Sequence, residues 1–190
     1  MAINSGAYWV RWAKDNIPDS SQIIDLRLGF RESVQAFIDA LEAANATVLI
    51  ESTRRSVKRA YLFHWSWRIA TEDVRASEAI EMDGVDIQWD HGNDAESKNG
   101  ALEMVRGFRL ALPPRSTVAP SMTSNHIRGE AIDMKICWLG DMSVQDADGN
   151  MRTVPFKTNV NTNKELHKVG ASYGVMKHLN DAPHWSLNGR

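Results

Sequence analysis

Two short segments of this chain hold residue types that could do chemistry together. The first is Ser124-Asn125-His126-Ile127-Arg128-Gly129-Glu130-Ala131-Ile132-Asp133-Met134, and the second is Asn180-Asp181-Ala182-Pro183-His184-Trp185-Ser186. Two imidazoles and one carboxylate, from His126, Asp133 and His184, make a donor set that suits Zn2+, and three protein ligands leave a fourth position for water. Zinc brings the pKa of such a water down to about 7, and a nearby carboxylate can accept its proton, an arrangement that hydrolyses amides. Asp181, three residues before His184, can reach the same pocket without binding the metal.

The spacing sets a condition on the fold. His126 lies seven positions before Asp133, and on a continuous strand an odd offset sends two side chains to opposite faces. They converge only if the chain turns between them, and Gly129 is the residue able to turn. From Glu130 to Trp138, alternation sends Ile132, Met134 and Ile136 toward a core and leaves Ala131, Asp133 and Lys135 on the open face. Pro183 fixes the backbone just before His184 and favours a rigid presentation of its ring. Taken alone, either segment has a blander reading, because a single His or Asp usually caps, hydrogen-bonds or sits on the surface. The His-Glu-x-x-His helix motif of many zinc proteases is absent.

The elements that must position these residues follow from periodicity. Residues 7 to 16 read as a short helix stopped near Pro18. Asp25 to Ala44 carries Leu26, Phe30, Val34, Phe37, Ile38 and Leu41 at helical spacing, with Asn45 as a stop. Thr47 to Ile50 reads as a strand, and a helix rich in aromatics runs from about Val57 to Glu72. Gly84 to Asp90 alternates as a half-buried strand does, and Asn99 to Leu112 reads as a helix ending before Pro113-Pro114. Asp148-Gly149-Asn150 is a hairpin-turn signal. Lys164 to Tyr173 is a helix with Gly174 as its C-cap, and Ala182 to Ser186 is a last short strand. The expected fold is α+β: one small antiparallel sheet with helices packed against it and the metal in a cleft on the sheet.

Composition excludes several classes. Of 190 residues, 43% are hydrophobic and 24% charged, so the chain can bury an ordinary core and has no compositional reason for disorder. A net charge of -2 gives no support for nucleic acid as a partner, although Arg54 to Arg59 is a local basic run. The single cysteine, Cys137, rules out an intramolecular disulfide; it follows the metal-bearing strand and is expected to be buried. The N-terminus lacks the pattern of a signal peptide, and no apolar run approaches the roughly 20 residues that span a bilayer. No membrane insertion is therefore expected, and the product is expected to accumulate in the cytoplasm.

The pattern Ser124-x-His126-x-x-Gly129-x-Ala131-x-Asp133, followed far downstream by Asp181-x-x-His184-Trp185, resembles the signature of the D-alanyl-D-alanine carboxypeptidase/VanY-like zinc peptidases. That group includes VanX-type dipeptidases and the L-alanyl-D-glutamate endopeptidases of phage endolysins. Glu51-Ser52-Thr53-Arg54-Arg55-Ser56 stands where the family carries a strand followed by a substrate-contacting arginine. The resemblance implies His126, Asp133 and His184 as zinc ligands and Asp181 as the general base. It implies Arg55 as a group that binds or polarises substrate, and Ser124 as a support near the ligands. Trp138 and Trp185 are candidates to line the substrate cleft, although core packing explains each equally well.

By the same resemblance the chain is a single catalytic domain over residues 1–190 with an N-terminal helical elaboration, without a separate wall-binding module. It would be a monomeric phage-type endolysin whose partner is bacterial peptidoglycan, held in the host cytoplasm until the membrane is breached. Many dipeptidases of the group carry Glu where Asp181 stands, which favours the endolysin branch. The rivals are a cytoplasmic D-Ala-D-Ala dipeptidase or D,D-carboxypeptidase and, from another class, a non-catalytic zinc-stabilised binding module like the hedgehog-type signalling domains. His91, His64, His167 and His178 are read as loop, packed or surface groups.

Overall fold

The computed structural model describes residues 2–71 and 74–190. In chain order its elements are β1 (Ile3–Asn4), α1 (Ala7–Asn16), α2 (Leu28–Ala43), β2 (Thr47–Ser52), α3 (Val57–Thr71), β3 (Ile87–Gln88), α4 (Asp94–Gly107), α5 (Asn125–Arg128), β4 (Ala131–Cys137), β5 (Met142–Gln145), β6 (Met151–Val154), α6 (Lys164–Ser172), β7 (Met176–Lys177) and β8 (His184–Ser186). The fold is α+β, and the chain divides into two compact units, each with its own core.

The first unit comprises Met1–Asp19 and Ser56–Ser124. Helix α3 buries Ala60, Tyr61, Leu62, Phe63, Trp65, Trp67 and Ile69. A helix that is apolar on most sides must be enclosed, and α1 and α4 supply Trp9, Ala13, Ala101 and Met104 to the same cluster. Two of its polar ring atoms form a chain: Trp89 Nε1 donates to the Tyr61 hydroxyl at 2.9 Å, and that hydroxyl donates to the Ile80 carbonyl at 2.8 Å. The strand expected over Gly84 to Asp90 shrinks to Ile87–Gln88, paired in parallel with β1. The helix expected from Asn99 starts at Asp94, because the Asn93 side chain accepts from Ala95 and Glu96 N–H and caps it there. The expected end of α3 at Glu72 lies outside the described residues.

The second unit comprises Ser20–Arg55 and Asn125–Arg190. Its antiparallel sheet has the order β2-β4-β8-β7, and β5 and β6 form a separate hairpin across the Asp148-Gly149 turn. Helix α2 buries Phe30, Val34, Phe37, Ile38 and Leu41. These join Ile132, Met134 and Ile136 from β4, Trp185 from β8, and Leu166 and Val169 from α6. Each large side chain so enclosed contributes about 1.5–3 kcal/mol over its exposed state. Strand β4 alternates from Ile132 onward, with Ile132, Met134 and Ile136 buried, Asp133 half-buried and Lys135 exposed, while Ala131, expected on the open face, is fully buried. Cys137 is exposed, which corrects the expectation of a buried thiol. It shares the parity of Asp133 and Lys135, and a two-residue period keeps it on their face.

Candidate metal centre

Three backbone features bring the site together, all within the second unit. His126 sits on α5, a single helical turn. The chain then reverses at Gly129, whose φ is +67°, a conformation that costs an L-residue roughly 1–2 kcal/mol. A Cβ at this position would also stand 2.9 Å from Arg27 N and 3.2 Å from Asp25 O, so glycine is required by space as well as by torsion. Strand β4 then carries Asp133 opposite His184 of β8 in register, and directly opposed residues of an antiparallel pair share a face. The turn expected from the odd spacing is thus present, as a helical turn followed by a left-handed glycine rather than a kinked strand.

The three donor atoms form a nearly equilateral triangle. His126 Nε2 lies 3.2 Å from Asp133 Oδ1, His184 Nδ1 lies 3.0 Å from the same oxygen, and the two nitrogens are 3.2 Å apart. His126 and His184 are buried, and the Asp133 side chain is 18% exposed. The outward nitrogen of each ring faces a main-chain oxygen: His126 Nδ1 is 2.6 Å from Thr53 O, and His184 Nε2 is 3.1 Å from Arg190 O. Those oxygens only accept, so both outward nitrogens carry the proton and donate. In neutral rings the inward nitrogens then present lone pairs. Two lone pairs and a carboxylate oxygen converging in a buried space repel one another unless a cation stands between them.

A metal ion fits this donor set. Edges of 3.0–3.2 Å put each atom about 1.8 Å from the triangle's centre. An ion at the roughly 2.0–2.1 Å typical of zinc with N and O ligands satisfies all three from about 1 Å off the plane. Burial alone raises the Asp133 pKa, but hydrogen bonds and positive charge from the two imidazoles, supplied when their inward nitrogens carry a proton in place of a metal, outweigh burial and hold its carboxyl well below the usual carboxylate range. It is anionic at any working pH, as a ligand to a divalent cation should be. Among the described residues, His126, Asp133 and His184 are the group whose geometry could hold a metal ion. A groove in the first unit, lined by Ala76, Ile80, Glu81, Val85, Trp89 and Asp90, has no comparable convergence of donors.

Several supporting residues escaped the sequence reading. Lys177 is buried, and its ammonium donates to the main-chain oxygens of His178, Asp181 and His184. It therefore pins the turn that carries both Asp181 and His184. Burial pulls its pKa down to about 8, against the opposing pull of Asp181 and Asp133. The alternation Val175 buried, Met176 exposed, Lys177 buried was a usable signal, because it assigns the lysine to the core face. Asn125, buried beside His126, donates to Asn188 Oδ1 at 2.8 Å and Arg190 O at 2.6 Å. Glu130, also buried, pairs with Arg27 and Arg128.

The remaining sequence candidates fall in different places. Asp181 is exposed, outside the triangle, on the turn whose main chain closes through His184 N–H to Asp181 O at 3.2 Å. Arg55 flanks the site through its main chain, its N–H donating to His126 O at 3.1 Å. Ser124 is half-buried immediately before α5. Trp185 is fully enclosed, packed on Phe37 with ring centres 5.3 Å apart, and Trp138 is 6% exposed against Phe156. Side chains so enclosed offer almost no surface to a substrate, so the reading of these tryptophans as cleft residues gives way to core packing. His178, expected at the surface, is half-buried with its ring centre 5.6 Å from that of His184. Compared with known protein families and with curated proteins, the chain matches none significantly.

Proposed function

We propose that this protein is a zinc peptidase that hydrolyses an amide bond in the stem peptide of peptidoglycan, as a phage-type endolysin of the VanY-like zinc peptidase family. The observation that carries the reading is the triangle of His126 Nε2, Asp133 Oδ1 and His184 Nδ1, with both outer ring nitrogens tied to main-chain oxygens. Structural zinc sites are ordinarily closed by four protein ligands, whereas three protein ligands and an open position mark a catalytic one. When bound, zinc supplies Lewis acidity toward water and the scissile carbonyl.

The chain's own residues divide the remaining tasks. Asp181 is the base that takes a proton from the attacking water on its carboxylate. Lys177 clamps the main chain of Asp181 and of His184, so base and ligand keep a fixed relation. Arg55, anchored to the His126 turn, holds a substrate carboxylate or the negative charge that develops on the carbonyl oxygen.

The test is mass spectrometry of muropeptides released from purified peptidoglycan by the zinc-loaded protein. A new N-terminal D-Glu identifies the endopeptidase, and loss of terminal D-Ala identifies a carboxypeptidase. Asp181→Ala should keep its zinc while hydrolysis falls about 10²–10⁴-fold. Full hydrolysis by protein stripped of divalent cations would overturn the proposal, and a parent protein that holds zinc without cutting would mark a binding module.

A further inference from the structure

We infer that the tail Leu187–Arg190 is an integral part of the metal centre, with Asn125 and Asn188 as positioning residues that aim His184 through the main-chain oxygen of Arg190. The inference rests on the metal reading of the triangle and deepens it. Its origin is an asymmetry between the two histidines. His126 is oriented by Thr53 O, on the chain directly after β2. His184 is oriented by Arg190 O, on a segment that has left the sheet.

The oxygen of Arg190 is held in place with unusual care. It accepts from His184 Nε2 at 3.1 Å, from Asn125 Nδ2 at 2.6 Å and from Ser186 Oγ at 3.0 Å. Arg190 N–H donates to Ser186 Oγ at 3.0 Å and to Asn188 Oδ1 at 3.2 Å, and Asn188 Oδ1 also accepts from Asn125 Nδ2 at 2.8 Å. Ser186 is fully buried and Asn125 is 5% exposed, so loss of a partner here leaves a buried polar group unpaired. The tail starts from Leu187 N–H bonded to Glu130 O at 3.0 Å. It then turns back at Gly189, whose φ is +73°.

This clasp decides which nitrogen of His184 is free. With Arg190 O in place the proton sits on Nε2, and the Nδ1 lone pair points at Asp133 Oδ1. Without that acceptor the proton can occupy Nδ1, and a protonated nitrogen cannot bind a cation. Asn125 is also the residue before His126, so its side chain ties the α5 turn that carries His126 to the segment that orients His184.

The test measures zinc affinity in the full chain by competition with a chromophoric chelator, alongside the imidazole nitrogen NMR spectrum of the metal-free protein above neutral pH. Gly189→Pro forbids the positive φ and should weaken zinc binding about 10–100-fold, the usual effect of losing an outer-shell partner. Asn188→Ala, at an exposed position, should weaken it in the same direction. Asn188→Asp, which keeps the acceptor, should restore affinity to within about threefold of the parent. In the spectrum the parent should show His184 protonated on Nε2, and Gly189→Pro should shift the proton toward Nδ1. Zinc affinity within twofold of the parent in both Gly189→Pro and Asn188→Ala, with an unchanged spectrum, overturns the inference. A parent that binds no zinc ends the metal reading, and the metal-free spectrum then decides the role of the tail by itself.

Discussion

The first unit and the second both anchor a histidine by one ring nitrogen, and they differ in what the rest of the ring faces. In the first unit His91 Nε2 meets the Ser5 hydroxyl at 3.0 Å, a group that donates as well as accepts, so the pair is complete. His64 gives Nδ1 to the Pro120 carbonyl at 2.8 Å, and its ring edge lies against Trp65. In the second unit the outer nitrogens of His126 and His184 are likewise given to main-chain oxygens, but the inner ones converge on a carboxylate. Paired polar groups stabilise a fold and ask for nothing more. Converging acceptors leave a deficit that a proton or a metal ion fills, and that deficit separates a site from a well-satisfied interior.

The most damaging way to probe this contrast is to remove the shared carboxylate. Asp133→Ala takes away the one oxygen that both imidazoles face, and zinc affinity should fall by at least about a thousandfold. The outer bonds to Thr53 and Arg190 persist, so the variant should still fold; equilibrium dialysis against zinc and circular dichroism read the two separately. Zinc retained at parental affinity would mean that the triangle is not the site. Leu62→Ala makes the opposite cut. Leu62 is fully buried in the core of the first unit, and the substitution should cost about 2–5 kcal/mol in thermal unfolding. Every proposed ligand lies in the second unit, so zinc affinity of the folded variant should stay within about twofold of the parent, well inside the 10–100-fold loss that marks an outer-shell partner. A parallel loss of affinity would break the separation of roles between the units.

What was legible in the sequence was whatever periodicity or a single torsion could carry. The apolar face of α2, the alternation of β4 and the need for a turn between His126 and Asp133 all rest on local rules, and all are present. Less legible were features decided by partners distant in sequence. Arg190 lies 65 residues from Asn125, and Thr53 lies 73 from His126, so no spacing rule could join them. The two parallel residues of β3 depend on β1, 84 positions away by the register Ile3 with Ile87. Lys177 shows the middle case: its parity was readable, but a lysine on a core face makes sense only once three carbonyls are seen around its ammonium. Cys137 was misread: its expected burial set it opposite Asp133 and Lys135, whereas positions 133, 135 and 137 share one parity and the thiol is exposed.

A second carboxylate in the second unit sharpens the contrast at the smallest scale. Asp146 is as enclosed as Asp133 is partly open, yet donors surround it: Asn150 N–H at 2.9 Å, Asp148 N–H at 3.1 Å and Arg152 Nε at 2.7 Å. Burial would raise its pKa, but the Asn150 N–H and the Arg152 guanidinium outweigh burial and hold it below the ordinary carboxylate value. A folded-state pKa below the unfolded one stabilises the fold at pH values above the unfolded pKa of about 3.9, and that stabilisation is lost as pH falls through the folded value. Asp146→Asn should therefore lower Tm at neutral pH and flatten the decline of Tm between about pH 4 and 2. Glu130, whose pKa is lowered in the same direction, keeps part of the slope. Zinc affinity should not change, because this carboxylate is already satisfied by donors. Melting curves of parent and variant that stay parallel from neutral to acid pH would show that Asp146 gains nothing from its neighbours. A fall in zinc affinity would show that a satisfied carboxylate and a converging one are less separate than their surroundings make them.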